Sequence, residues 1–336
     1  MKPVDLCIII PCYNEEEILE WTYQNIINKL NQLIQDKLIT DKSRICFVND
    51  GSKDNTWNII DSICQSDRHI NGLKLSRNFG HQAALMAGLT SKVDNFDCYI
   101  TIDADLQDDI DAIDHMVLKF MEGFEIVYGV RNNRTTDTVF KRNTAYLFYR
   151  LMSALNVETV YNHADFRLIG NRVVNELLNY RETNLFLRSI FPIMGFKSSV
   201  VYYKRHDRIA GTTKYPLRKM LAFAWEGITS FSSKPLKIGL YVGIVTFILT
   251  IGIIVWALVV YWQGRALPGW VSTVIPIALL GGLQMISIGV LGEYIGKIYI
   301  ETKRRPRFII DSESGFNQES SGKQKQNNKK VLADAG

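Results

Sequence analysis

Two uncharged runs constrain this chain more than anything else in it. Ile238–Trp262, "IGLYVGIVTFILTIGIIVWALVVYW", carries no charge over 25 residues; as a helix it would reach about 37 Å, past the ~30 Å of a bilayer's hydrocarbon core. Trp270–Gly292, "WVSTVIPIALLGGLQMISIGVLG", is also uncharged. Both read as transmembrane helices, because two such runs with basic flanks and terminal tryptophans fit poorly as core helices of a soluble protein. Arg265 is the charge in the link, whereas Lys234 and Lys237 precede the pair and Lys297, Lys303, Arg304, Arg305 and Arg307 follow it. The positive-inside rule then places both flanks in the cytoplasm and the link outside. Pro276 and Gly281-Gly282 predict a kink or close helix packing in the second run.

The rest of the 336 residues can support a large core, since 47% of the chain is hydrophobic. The formal charge of +5 is modest, but basic residues crowd Lys197–Lys219 and Lys297–Lys330, which points to anionic partners for the C-terminal half. With a membrane at hand, that partner is a lipid surface and not nucleic acid. Cys7, Cys12, Cys46, Cys64 and Cys98 lie in or beside apolar runs without metal-ligand spacing, and read as reduced core residues. The N-terminal apolar stretch is too short before its charges to be a signal peptide, so the first domain is expected to stay in the cytosol.

Up to about residue 131 apolar strand-like runs alternate with amphipathic segments. The strands expected are Asp5–Ile10, Ile45–Asn49, Leu73–Ser76, Cys98–Ile102 and Glu125–Tyr128. This is the alternation of an α/β fold with a mostly parallel sheet and helices on both faces. Ligands bind beyond the carboxyl ends of strands in such sheets, and polar clusters fall there: "PCYNEEE", "NDGSKDNT", "SRNFGHQ" and "DADLQDD" follow four successive strands. Singly, each has a plain explanation: Asn14 and Asp54 can cap helices, Gly51 can serve a turn, Asp103 and Asp105 can be solvated. Together they mark one sheet edge as a site. Neither G-x-G-x-x-G nor G-x-x-x-x-G-K-[ST] occurs, so neither a Rossmann dinucleotide site nor a P-loop is supported.

The pair Asp103-x-Asp105 suits a hard divalent cation, Mg²⁺ or Mn²⁺, with coordination positions left for diphosphate oxygens. Asp108, Asp109 and Asp111 are expected to sit at a helix start, where the dipole favours carboxylates.

"PCYNEEE", "VNDGSKDNT", "RNFGHQAALMAG", "DADLQDD", "ADFRLI" and "IAGTTKY", with "GEYIGKIY" at the end of the second apolar run, together resemble the inverting family 2 glycosyltransferases of GT-A fold. The nearest resemblance is to bacterial polyprenyl-phosphate glycosyltransferases of the bactoprenol glucosyltransferase type, relatives of dolichol-phosphate mannose synthase, over about residues 4 to 310. The resemblance implies that Pro11, Tyr13, Asn14 and Glu15 surround the uridine, that Asp50 reads the uracil edge, and that Arg77 and Asn78 line the nucleotide. It makes Asp103 and Asp105 the nucleotide and metal acids, Asp105 the more direct ligand, with Gln107 in the same loop. Asp165 matches the residue usually proposed as catalytic base; Arg205, Arg208 and Lys214 fall among basic residues for phosphates or acceptor. Asp109, Ala164 and His81 stand where the family often has Pro, Gly and Lys.

The implied reaction is inverting transfer of a hexose, glucose or N-acetylglucosamine, from a UDP-sugar to undecaprenyl phosphate at the cytoplasmic membrane face of a bacterium. The product would serve cell-envelope glycosylation. A phosphate monoester with a second pKa near ~6 is already largely a dianion at neutral pH. Asp165 is therefore expected to orient the acceptor or stabilise charge at the anomeric carbon at least as much as to accept a proton. The expected organisation is a GT-A domain over 1–214, amphipathic interface helices over 215–235, a two-helix hairpin over 236–300, and a basic, disordered tail over 301–336. Both termini would be cytoplasmic, and a homo-oligomer, a tetramer foremost, is expected. The rivals are a processive polysaccharide synthase, which would carry Q-x-x-R-W and more spans, and a non-catalytic nucleotide-sugar sensor or flippase subunit, which would not need the metal acids.

Overall fold

The computed structural model describes residues 2–91, 96–132, 163–180, 182, 187–204, scattered positions between 241 and 263, and 270–315. The chain divides into two compact units, one built on a sheet and the other, Asn143–Thr159 with Lys214–Arg305, containing a long helix.

An unbroken apolar run needs a strand buried on both faces, and β1 (Leu6–Cys12) is that strand: all seven residues are buried. It pairs in parallel with β2 (Arg44–Asn49) on one side and β4 (Cys98–Thr101) on the other. β2 pairs in parallel with β3 (Ile70–Leu75). Beyond β4 lie β6 (His163–Gly170), β5 (Ile126–Arg131) and β7 (Ser198–Tyr203), and beyond β3 lies β8 (Ile310–Ser314), giving the order β7-β5-β6-β4-β1-β2-β3-β8. Four pairings are parallel and three antiparallel. The sheet is thus mostly parallel but mixed, with β6 running against both β4 and β5.

Helices cover the sheet. α1 (Leu19–Gln35) turns Leu19, Ile26, Leu30 and Leu33 inward, the three-to-four spacing of a helix face. α2 (Thr56–Ser66), α3 (His81–Ser91) and α4 (Ala112–Met121) follow β2, β3 and the loop after β4. α3 lies so close to the sheet that a Cβ at Gly88 would meet Ile9 Cγ2 at 2.5 Å. Two short helices, α5 (Asn171–Leu177) and α6 (Leu187–Ile193), follow β6. All five cysteines are free and buried, and burial pushes the Cys64 thiol up to about 12, so that thiol is no nucleophile at neutral pH.

β8 departs from the sequence reading, which leaves Ile310–Ser314 inside the C-terminal tail. This polar segment is instead the sheet's edge strand, antiparallel to β3. Ser314 Oγ donates to Asp61 at 2.6 Å, Lys74 lies 3.4 Å from Asp311, and the Ser76 amide donates to Ile309 at 3.0 Å.

α7 (Trp270–Thr302) runs 33 residues, about 50 Å at 1.5 Å per residue, and contains Pro276. It continues ten residues past the expected end at Gly292, and Leu279–Thr302 is the candidate membrane span among the described residues. Its apolar side chains, Leu279, Met285, Ile286 and Ile298 among them, are exposed. A Cβ at Gly281 or Gly282 would meet nothing within 4 Å, so no close helix packing is seen there among the described residues. The first expected span, Ile238–Trp262, is described only at scattered positions, which are helical between 241 and 259; two spans are therefore not established. The expected interface helices over 215–235 lie outside the described residues.

Candidate active site

The turns that leave β1, β2 and β3 are tied into one structure. Asn14 takes φ 55°; its amide donates to Ser52 Oγ at 2.9 Å, and its side-chain oxygen accepts from the Lys53 amide at 2.9 Å. The Glu15 amide donates to Thr56 Oγ1 at 3.0 Å, while Glu16 accepts from the Asn55 amide at 2.9 Å. Asp54 accepts from the Thr56 amide and hydroxyl at 3.1 and 2.6 Å. Burial alone would raise its carboxyl; the bonds from Thr56 and Glu16 hold it below the usual range. Short polar side chains thus satisfy the open amides of each turn.

Gly51, at φ 64°, makes the next joint. A Cβ there would sit 2.3 Å from the Arg77 carbonyl carbon and 2.5 Å from the Asn78 nitrogen, so the turns after β2 and β3 touch backbone to backbone. Buried Asp50 locks the same joint by accepting from the amides of Phe79 at 2.7 Å and Gly80 at 3.0 Å. Desolvation raises its carboxyl, against the pull of those two bonds. Arg77 stacks over the Phe79 ring at 4.0 Å. Pro11 is buried in β1, whereas Tyr13 is 41% exposed at its end.

The loop after β4 carries its carboxylates to four different fates. Asp103 lies 3.6 Å from His81 Nε2; its carboxyl is pushed up to about 6, first by desolvation, with His81 pulling down and Asp165, Asp108 and Asp105 pushing up. Asp105 accepts from the Gln107 amide at 3.3 Å, and Gln107 is itself buried. Asp108 does not sit at the helix start as expected from sequence. It is buried between β5 and β7, accepting from Tyr203 Oη at 2.6 Å and Arg131 Nη2 at 3.1 Å. Asp111 immediately precedes α4 and Asp114 is in its first turn. Both pair with the buried Lys29 of α1, at 2.8 and 2.9 Å, so a cation across the interface neutralises them in addition to any dipole. Asp109 accepts from the Asp111 amide at 3.0 Å.

Asp165 joins this loop through the antiparallel insertion of β6. Thr101 pairs with Arg167, so Asp103, two residues on from Thr101, and Asp165, two residues back from Arg167, lie at the same end of the two strands. Thr101 Oγ1 donates to the Asp165 carbonyl at 2.5 Å, fixing the strand's start. The Asp165 carboxylate is held by two guanidiniums and an imidazole: Arg167, Arg188 of α6 at 2.9 and 3.2 Å, and His81 Nε2 at 3.6 Å. Burial alone would raise its carboxyl; Arg188, His81 and Arg167 hold it well below the usual range. His81, raised by both carboxylates against desolvation and Arg188, bridges the expected metal acid and the expected catalytic acid.

Asp103, Asp105 and Asp165 therefore converge, and Asn14, Glu15, Asp50, Arg77 and Asn78 share the adjoining interlocked turns, with Pro11 within β1 and Tyr13 just past its end. Arg205, Arg208 and Lys214 lie outside the described residues. No group of three His, Cys, Asp or Glu side chains able to hold a metal ion occurs among the described residues. Asp103 and Asp105 supply two hard oxygen donors, and the upward push on Asp103 from its neighbours is the strain a divalent cation would relieve. The pair fits such an ion if water or phosphate oxygens complete its shell. Arg188 escapes the sequence reading; its one signal is a charge inside the apolar stretch "NLFLRSIF".

The family model "Glycosyl transferase family 2" matches residues 7–178, and the model "GtrB C-terminal hairpin" matches residues 234–298. The uncharacterized glycosyltransferase YkoT of Bacillus subtilis is 49% identical over 330 residues, 98% of this chain and 97% of its own. A prophage bactoprenol glucosyl transferase homolog of Escherichia coli is 40% identical over 307 residues, 91% of this chain and 98% of its own. The bactoprenol glucosyl transferase of Shigella phage SfV is 39% identical over 313 residues, 92% and 98% respectively.

Proposed function

The chain belongs to glycosyl transferase family 2, and from that premise we propose that it transfers a hexose from a UDP-sugar to undecaprenyl phosphate, inverting the anomeric centre. The observation that carries this reading is the meeting of Asp103, Asp165, His81 and Arg188 at the carboxyl edge of the sheet. Two relatives at about 40% identity bear the name bactoprenol glucosyl transferase, which favours a polyprenyl-phosphate acceptor, with glucose and N-acetylglucosamine as the leading sugars.

In this reading Asn14, Glu15, Asp50, Arg77 and Asn78 bind the nucleoside, and Asp103 and Asp105 hold Mg²⁺ or Mn²⁺. The ion would supply charge withdrawal from the departing diphosphate. Asp165 keeps its negative charge throughout, because a carboxyl clamped by two guanidiniums and an imidazole is a poor proton acceptor. It orients cationic groups around the transferring sugar, and the acceptor phosphate, already ionised, attacks without a base. A second membrane span over Ile238–Trp262 would complete a hairpin whose ends, with the catalytic unit, face the cytoplasm of a bacterial plasma membrane. Assembly as a homo-oligomer belongs to the same reading.

The test is direct. Purified protein is incubated with undecaprenyl phosphate, Mg²⁺ or Mn²⁺ and a panel of UDP-sugars, and lipid-linked sugar is measured. Transfer from UDP-glucose or UDP-N-acetylglucosamine is expected; no transfer from any donor would sink the reading.

A further inference from the structure

We propose that Thr22 and Tyr203 are positioning residues for the metal pair, holding the loop over 103–108 from behind in the shape that presents Asp103 and Asp105 to one ion. The inference rests on the metal reading above and adds to it two hydroxyls that the motifs do not reach.

The loop needs holding. Leu106 stands at φ 41°, a left-handed conformation that a glycine adopts freely and a leucine only under constraint. Its amide donates to the Asp103 carbonyl at 3.2 Å, which closes a tight turn around Ala104 and Asp105. Buried Ala104 and Leu106 alternate with half-buried Asp103 and Asp105, so the turn that packs the two apolar residues inward leaves both acids partly exposed.

Two hydroxyls outside the loop supply the constraint. Thr22 lies in the buried stripe of α1 between Leu19 and Ile26, where a valine would fill much the same space. Its Oγ1 donates to the carbonyl of Ala104, the central residue of D-x-D, at 2.6 Å, closer than the 3.0 Å to Ile18 in its own helix. A hydroxyl has one proton to give, and the shorter contact ties α1 to the peptide that leads into Asp105. At the loop's far end Tyr203 Oη donates to Asp108 at 2.6 Å, beside Arg131 at 3.1 Å. Arg131 supplies the charge that a buried carboxylate requires. The Tyr203 hydroxyl adds direction, since its ring is set edge-to-face against Phe166 at 5.4 Å. Phe166 follows Asp165 in β6, so Tyr203 meets both the loop with the metal acids and the strand with Asp165. Removing a bond that orients a metal ligand weakens such a site by about 10–100-fold.

The experiment reads the ion separately from the nucleotide. Full-length wild type, Thr22→Val, Thr22→Ser and Tyr203→Phe are purified in detergent and titrated with UDP, once with Mn²⁺ and once with chelator; the ratio of the two affinities is the gain due to the ion. Thr22→Val and Tyr203→Phe are each expected to cut that gain about tenfold while the affinity in chelator stays within twofold. Thr22→Ser, which keeps the hydroxyl, should keep the wild-type gain. A gain within twofold of wild type in both Thr22→Val and Tyr203→Phe overturns the proposal, and in one of them removes that residue from it. Equal losses in both arms, or a Thr22→Ser that behaves as Thr22→Val, would mark a packing role and count against. Should one variant fail to fold, the other decides. Wild type with no gain from Mn²⁺ overturns this proposal and its metal premise together. Wild type that shows the gain but transfers no sugar overturns the transferase reading only.

Discussion

At the scale of single residues, the site is a problem in charge placement that the fold solves pair by pair. Asp165 is the test case. Its carboxyl is held below 3.8 in the folded chain, so the stability it contributes is intact above pH 4 and lost only as stronger acid titrates it. Asp165→Asn should cost about 3–5 kcal/mol, because it strands buried Arg167, and its activity loss should not be recovered at pH 9, where the acceptor is fully ionised. Recovery there would favour a proton-accepting role over an orienting one. Asp103 behaves oppositely. Its carboxyl, at about 6, costs stability when ionised above that pH and none below 3.8. Asp103→Asn, melted in chelator, should therefore be more stable than wild type at pH 8, lose that advantage by pH 4, and transfer no sugar. Equal melting temperatures at pH 8 would show that the site carries no such strain. Arg167, two positions from Asp165, was a legible partner, but those of the loop acids were not, since Asp108 and Tyr203 lie 95 positions apart and Lys29 and Asp111 lie 82 apart. Spacing along a chain reveals a D-x-D pair but not the cation that folding brings to it.

Among elements, β1, β2, β4 and β5 were readable because a strand buried on both faces must be apolar along its length, whereas the expected Leu73–Ser76 misses the start of β3 at Ile70, where Asn71 interrupts the apolar run. β6 was not: "HADFRLIG" places an acid and an arginine in the middle of a strand, and only the pairing of Asp165 with Arg167 and Arg188 makes that tolerable. β8, "IDSES", has no apolar signature at all. It belongs to the sheet through backbone bonds to β3 and the contacts of Ser314 and Asp311. Deleting residues 316–336 should leave the melting temperature unchanged, whereas deleting 306–336 should lower it and expose the edge of β3 to aggregation. Indistinguishable melting of the two truncations would mean that β8 contributes nothing. Gly51→Ala is the matching test of the joint between turns. Both its φ of 64° and the 2.3 Å approach of Arg77 forbid a Cβ, so a loss above about 1 kcal/mol is expected, read as a lower melting temperature.

For the whole molecule, the uncharged runs remain the strongest sequence signal, with α7 longer than they alone suggest. The hairpin reading makes a prediction for which the chain is well suited, because all five native cysteines are buried. In intact cells, Arg265→Cys should react with a membrane-impermeant thiol reagent, and Ser320→Cys should react only after permeabilisation. Labelling of Arg265→Cys only after lysis would reverse the proposed orientation.

β8 carries one more consequence, for the order of events at the ribosome. The strand that closes the edge of the sheet is encoded after α7, while β1, at the sheet's centre, is among the first segments made. The sheet therefore remains one strand short, with the backbone of β3 open, until the whole apolar stretch has been synthesised. On the hairpin reading, membrane insertion of that stretch would precede completion of the sheet; in any case a chain that stalls or terminates within it leaves an unfinished sheet edge, the kind of defect by which quality-control machinery tells a partial product from a finished one.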